Sequence, residues 1–331
     1  MVEGLTRPDP TLRFDDQRVT GSSGGPVSRA TPTVNVTCSP PECSSSSVWG
    51  IVDFDVGGRT EPCGWRPLGE VTCGVAWEGP VETPAVVRAI LARDSAPAPP
   101  DRWWHAEADV TLVDGSAPAF SLVAAPAPAS STTLTIAPAT GVTVDDVAIA
   151  VQPGAVPPIS YVAWGGNWRD VSPEGALAVS IPTVAGMLVR VIAWGSAEGG
   201  ANSNASWSGP PPGATLALPL DLPPELGEPA DGASDVSPGT TLSWTPADGF
   251  VYRLRLTGEG LPGLEIVTAR TAITLPDLSA LGFALRSGAT YSWWIGATGP
   301  LAGADEAARG FALRPGLSQY LESGFRRLTI R

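Results

Sequence analysis

Between Gly288 and Ala297 the chain is apolar at every second position. Ala289, Tyr291, Trp293, Ile295 and Ala297 share one face, the pattern of a strand half-buried in a β-sandwich. The pattern recurs at Met187-Leu188-Val189-Arg190-Val191-Ile192-Ala193-Trp194 and, more faintly, at Val87-Arg88-Ala89-Ile90-Leu91-Ala92. Val87, Val189 and Tyr291 hold the same place in the three copies, at an interval of 102 residues each time. That interval is about one β-sandwich domain. The hydrophobic pattern therefore predicts an all-β chain of three tandem antiparallel β-sandwich domains.

The rest of the chain is divided to fit. Residues 1–28 are polar and end in a Gly/Ser/Pro run, which reads as a flexible leader, with Thr11 to Phe14 as a candidate edge strand. The first domain spans 29–116 and is the most divergent, rich in Cys, Gly and Pro. The second spans 119–212. Pro210-Pro211-Pro212 to Pro223-Pro224 is expected to form a stiff Pro-rich hinge over 213–224. The third domain spans 225–331.

Family resemblance is clearest in this last stretch. Pro229-Ala230-Asp231-Gly232, then Thr241-Leu242-Ser243-Trp244, then Val251-Tyr252-Arg253-Leu254 and the Tyr291 strand resemble a fibronectin type III domain. The resemblance implies that Trp244 anchors the core and that Tyr291 packs near it. Residues 119–212 resemble the family through Val189 to Trp194 and the Gly-rich turn that follows, with Ile136 in place of the Trp. In 29–116 only the Val87 strand matches, and the cysteines depart from the family; a generic immunoglobulin-like sandwich is the expectation there. A fold of this kind implies little about activity.

Composition narrows the partners. A net charge of −13 and a pI near 4.5 argue against nucleic acid or an anionic membrane surface. All 20 basic residues are Arg, which reads as compositional bias. The 38 Gly and 35 Pro interrupt any long helical period. Cys38, Cys43, Cys63 and Cys73 lie in one window without the close Cys/His pairs of a metal site. Two disulfides are favoured, Cys38–Cys43 and Cys63–Cys73, because each closes a local loop; three connectivities and reduced thiols stay open. Disulfides place the protein outside the cell or on its surface. Met1 to Pro8 nevertheless lacks the basic start and apolar run of an export signal, and no apolar stretch suits a transmembrane segment.

Candidate chemistry is sparse. His105 is the only histidine, and no Gly-x-Ser-x-Gly elbow accompanies it, so it reads as a packing residue beside Trp103 and Trp104. Asp53 and Asp55 share one strand face and repel unless neutralised, for which a weak Ca²⁺ site is one option. The pairs Asp15-Asp16 and Asp145-Asp146 read as solvated. Trp164-Gly165-Gly166-Asn167-Trp168 has the spacing of a loop presenting two rings, so Trp164, Trp168 and Trp207 are the candidates for stacking on sugars. Ile90, Ile192 and Trp294 form an equivalent outward set of the repeated strand, apolar where alternation predicts polar; packing between domains, against a partner or between copies of the chain would explain them. No cofactor or metal is implied. The sequence favours a non-enzymatic, modular cell-surface or secreted protein, a spacer or adhesive module whose partner is a protein or a polysaccharide. Its alternative is a carbohydrate-binding module or the accessory region of a polysaccharide-active system.

Overall fold

Alternation becomes strand along most of the described residues. The computed structural model describes residues 27–39, 43, 48–93, 97–153, 161–209, 213–258, 261–277, 279, 285–308 and 316–331. Most of the expected leader, Asp15-Asp16 and Pro210 to Pro212 lie outside these residues.

Residues 27–126 hold nine strands: β1 (Val27–Ala30), β2 (Thr33–Cys38), β3 (Val48–Val56), β4 (Arg59–Pro67), β5 (Gly69–Thr72), β6 (Val75–Glu78), β7 (Glu82–Arg93), β8 (Trp103–Val113) and β9 (Ala119–Pro126). Antiparallel pairing runs β4-β3-β7-β8. β9 touches β8 only at Trp104 and His105, then runs parallel to β2, which pairs with β5. The faces enclose Val34, Phe54, Val87, Leu91, Trp104 and Leu122. Cys38 is bridged to Cys43 and Cys63 to Cys73, the two local loops favoured by the spacing.

Residues 129–220 repeat this plan with β10 (Ala129–Pro138), β11 (Thr143–Pro153), β12 (Tyr161–Asn167), α1 (Trp168–Val171), β13 (Ala176–Pro182), β14 (Met187–Ala197), β15 (Ala201–Ser208) and β16 (Thr215–Leu220). The order is β12-β11-β14-β15 on one side and β13-β10-β16 on the other, with β16 parallel to β10. Leu216, Leu218 and Leu220 of β16 are buried. Residues 213–224, expected as a hinge, thus contain a strand that completes this core. Likewise β9, expected to open the second domain at 119, is paired with β2 in the first.

The last part contains β17 (Ala233–Val236), β18 (Thr241–Ser243), β19 (Val251–Gly258), β20 (Leu261–Thr268), β21 (Ala272–Thr274), β22 (Thr290–Gly299), α2 (Ala304–Ala308), β23 (Gly316–Glu322) and β24 (Arg326–Ile330). Trp244, Tyr252, Tyr291 and Trp293 are all in its core. The Tyr291 hydroxyl accepts from the Arg286 N–H at 3.0 Å, and Trp244 packs on Tyr252 with ring centroids 5.5 Å apart. The repeated strands are β7, β14 and β22. Each lies between two antiparallel neighbours, with Val87, Val189 and Tyr291 buried.

The parts are joined in two ways. Ile51, Ile90, Ala92 and Trp103, on the outer face of the first sheet, belong to the cluster formed by residues 134–220. The Trp103 indole N–H donates to Ser180 O at 3.0 Å. The second joint is a β-ladder: β15 and β23 pair antiparallel from Asn202↔Glu322 to Ser208↔Gly316. One sheet therefore runs β12-β11-β14-β15-β23-β22-β19-β20. Pairing two outer strands removes two open edges. The Gln319 side chain, facing inward, donates to Pro219 O at 3.1 Å and to Asp221 Oδ2 at 2.9 Å, tying β23 to the end of β16.

Ser318→Pro removes a donor from the middle of this ladder. Calorimetry is expected to show 129–220 and 226–331 unfolding together in the parent and separately in the variant. A single transition of unchanged midpoint would contradict the coupling.

Candidate functional site

Period two sends Ile192, Trp194 and Ser196 of β14 to the face opposite the core residues Val191 and Ala193. The ladder registers extend that face. Trp194 lies opposite Asn204 on β15, Asn204 opposite Tyr320 on β23, and Tyr320 opposite Thr298 on β22. A parallel row holds Ser196, Asn202, Glu322 and Gly296. In the amide orientation that satisfies both groups, Asn204 Oδ1 accepts from the Trp194 indole N–H at 3.2 Å.

Tyr320 lies over Gly296. A Cβ on Gly296 would stand 2.8 Å from the Tyr320 hydroxyl oxygen and 3.1 Å from Cε2, so a larger residue would push the ring aside. The hydroxyl donates to Glu322 Oε2 at 2.6 Å. Burial, then that carboxylate, push the phenol well above its ordinary range, so it stays a donor. Arg253 and Arg255 reach Glu265 at 3.3 and 3.1 Å. Arg190 donates to the Ser206 hydroxyl at 2.9 Å, and Ser206 shares a hydrogen bond with Ser318 at 2.9 Å. This hydroxyl chain crosses the β15–β23 joint.

Between β23 and β24 the chain bulges, since the register shifts by one residue from Gly296↔Glu322 to Trp293↔Arg326. Ser323 holds the base of the bulge. Its N–H donates to Ile295 O at 2.9 Å, and its hydroxyl accepts from the Ile295 N–H at 3.0 Å. Gly324 then passes so close to Gly199 O that a Cβ would sit 2.5 Å away. Phe325 is left 66% exposed, an unusual position for a large apolar ring. Gly200, Ser292, Trp294, Glu322, Ser323 and Phe325 line an open groove of about 310 Å³.

The sequence-derived candidates divide. Trp164, Trp168 and Trp207 are buried in one apolar cluster, so their rings are not presented for stacking on a ligand. The Trp164 N–H donates to Pro97 O at 3.3 Å, and Asn167 caps α1 by accepting from the Arg169 N–H at 3.0 Å; the Trp-Gly-Gly-Asn-Trp stretch is a strand end packed inward. Ile192 is buried although it lies on the outer face. Trp294 is half-buried and lines the groove. Ile90 is covered by residues of 134–220. Trp194, Tyr320 and Phe325 are added by the structure.

Asp53 and Asp55 are neutralised from within. Arg88 lies 3.6 Å from Asp53 and 3.0 Å from Asp55, and Glu107 is 3.9 Å from both Arg88 and His105. Among the described residues no group of three or more His, Cys, Asp or Glu is placed to hold a metal ion. Burial raises the Asp53 carboxyl to about 7, against the pull of Arg88. Burial also lowers His105, which is the direction of a packed, neutral ring.

No protein-family model matches the chain, and no curated protein does. Among solved structures it is similar to the shaft pilin SpaA from Lactobacillus rhamnosus GG, at 8% identity over 59% of this chain and 98% of that one, with a TM-score of 0.20. It is also similar to a streptococcal ancillary pilin, at 11% identity over 81% and 89%, with a TM-score of 0.22. A third is the Bacillus anthracis TIE protein, at 8% identity over 80% and 45%, with a TM-score of 0.18. Likenesses this distant carry no argument about function, and the fibronectin type III resemblance gains no support from them.

Asp53 makes stability depend on pH. The folded protein keeps a proton that the unfolded chain releases above its ordinary value of 3.8. Its contribution is therefore complete below that value and is lost as pH rises through about 7. Asp53→Asn is expected to flatten the decline between these limits and to add about 1–3 kcal/mol to the stability of 27–126 at high pH. Denaturant titrations across the range check this; an undiminished slope in the variant would refute it.

Proposed function

We propose that this chain is a non-enzymatic, exported structural protein that holds a rigid adhesive platform at a cell surface. It consists of three β-sandwich units, over 27–126, 129–220 and 226–331. The observation that carries the reading is the β15–β23 ladder, which joins two units through backbone hydrogen bonds along seven facing residue pairs. A flexible tether would leave each unit free to turn; a shared sheet fixes their relative orientation and transmits load along the strands. The packing of Ile90 and Trp103 onto the second unit supports the same reading.

Two further features agree with it. The two disulfides lie in the first unit, and such bonds persist outside a reducing cytosol. The acidic surface, −13 overall, keeps an exposed protein soluble and away from anionic membrane. His105 and Asp53, the groups an enzyme reading would need, are packed inside the first unit beside Glu107 and Arg88.

Protease treatment of intact source cells tests the assignment, together with intact-mass measurement of the protein under non-reducing and reducing conditions. The expected result is digestion from outside, a mass gain on reduction corresponding to two disulfides, and weaker attachment of cells lacking the protein. Complete protection from external protease, with all four thiols free, would contradict it.

A further inference from the structure

We propose that the outer face of the shared sheet, where it crosses the β15–β23 joint, is a binding track for an extended, neutral polysaccharide chain. The proposal goes beyond the structural role, since it holds whether the platform is adhesive or only a spacer.

Four aromatic rings form the track. Trp194 and Tyr320 lie in one register row with a single strand between them, which sets them roughly 10 Å apart. The Tyr320 ring covers Gly296, and Trp294 is two residues back on the same face of β22, roughly 7 Å along the strand. Phe325 stands exposed on the far wall of the groove beyond Trp294. The series is longer than one pyranose ring and suits several in succession. The face of an aromatic ring is electron-rich and receives the axial C–H hydrogens of a sugar, while hydroxyl and amide groups between the rings hydrogen-bond its equatorial oxygens. Asn202, opposite Glu322, and Thr298, opposite Tyr320, supply such groups along the row, and Ser292 supplies one beyond Trp294.

Charge selects a neutral ligand. Arg253 and Arg255 are matched by Glu265, Glu322 accepts a hydrogen bond from the Tyr320 hydroxyl, and Arg190, four residues from Trp194 on β14, is directed to Ser206. Beside the groove Glu265 and Glu322 thus face Arg253 and Arg255; two carboxylates against two guanidiniums give the groove no strong net attraction to a cationic peptide or an anionic polymer. Trp194 comes from one unit, and Tyr320 and Trp294 from the next. The track is therefore complete only when the ladder is formed.

The test is titration of the full chain with cellohexaose, chitohexaose, maltohexaose and hexa-arginine, read by tryptophan fluorescence and calorimetry. Saturable binding of cellohexaose or chitohexaose is expected, stronger than that of the curved maltohexaose, with hexa-arginine silent. Trp294→Ala and Tyr320→Ala are each expected to weaken it roughly tenfold, Trp294→Phe to weaken it less, and Val123→Ser, at an exposed site in the first unit, not at all. Ser318→Pro should abolish the tight mode while thermal melts still show 226–331 folded. Failure of all three hexasaccharides to bind, binding of hexa-arginine in their place, or affinity unchanged in both Trp294→Ala and Tyr320→Ala would overturn the proposal.

Discussion

The hydrogen-bonded ladder between β15 and β23 is the constraint on which the rest depends. Each strand would otherwise end its own sheet with a row of unpaired N–H and C=O groups, open to any other strand. Pairing them satisfies those groups within the chain and joins one sheet of each unit into a single continuous sheet. The backbone hydrogen bonds along these seven facing pairs each contribute on the order of 0.5–1.5 kcal/mol net, and together they fix the orientation of one unit against the other. Gln319, reaching back to Pro219 and Asp221, adds side-chain bonds to the same joint.

Two features of the outer face follow from how β23 must serve both neighbours. β23 pairs with β15 on one side and β22 on the other, whereas β24 pairs with β22 and β17. The strand changes neighbours at Ser323 and Gly324, and the extra residue there ejects Phe325. Tyr320, squeezed between two ladders, finds room only above Gly296. Groove and aromatic row are thus by-products of the joint, and the Arg190–Ser206–Ser318 chain of polar contacts spans it.

Much of the architecture was legible from the chain alone. The 102-residue interval marks β7, β14 and β22 because a central strand, buried on its inner face, keeps its alternation most strictly. Tyr291 and Trp293 read as core for the same reason, Trp244 through the family resemblance, and the two local disulfides were the pairing that spacing favoured. β16 was hidden: Leu216, Leu218 and Leu220 alternate correctly, but the flanking prolines outweigh that signal in any local reading. β9 was displaced to the wrong side of a boundary because its partner, β2, lies about 85 residues away, and parallel pairing leaves no turn signature.

The site was less legible. Trp164, Trp168 and Trp207 were candidates for display, the first two from a Gly-rich spacing, whereas strand register turns Trp164 and Trp207 inward and the short helix α1 buries Trp168 in the same cluster. Trp194 was available to a period-two count from Ile192, though the strand containing it gave no sign that a neighbour would extend its face. Tyr320 and Phe325 become neighbours of that face only once β23 lies beside β15, a pairing more than 100 residues apart in sequence. Amide hydrogen exchange of the intact protein tests the ladder most directly. The account predicts that amides of residues 202–208 and 316–322 exchange as slowly as those of the interior strands β14 and β22. Exchange of either segment at the rate of a solvent-exposed edge strand would contradict it.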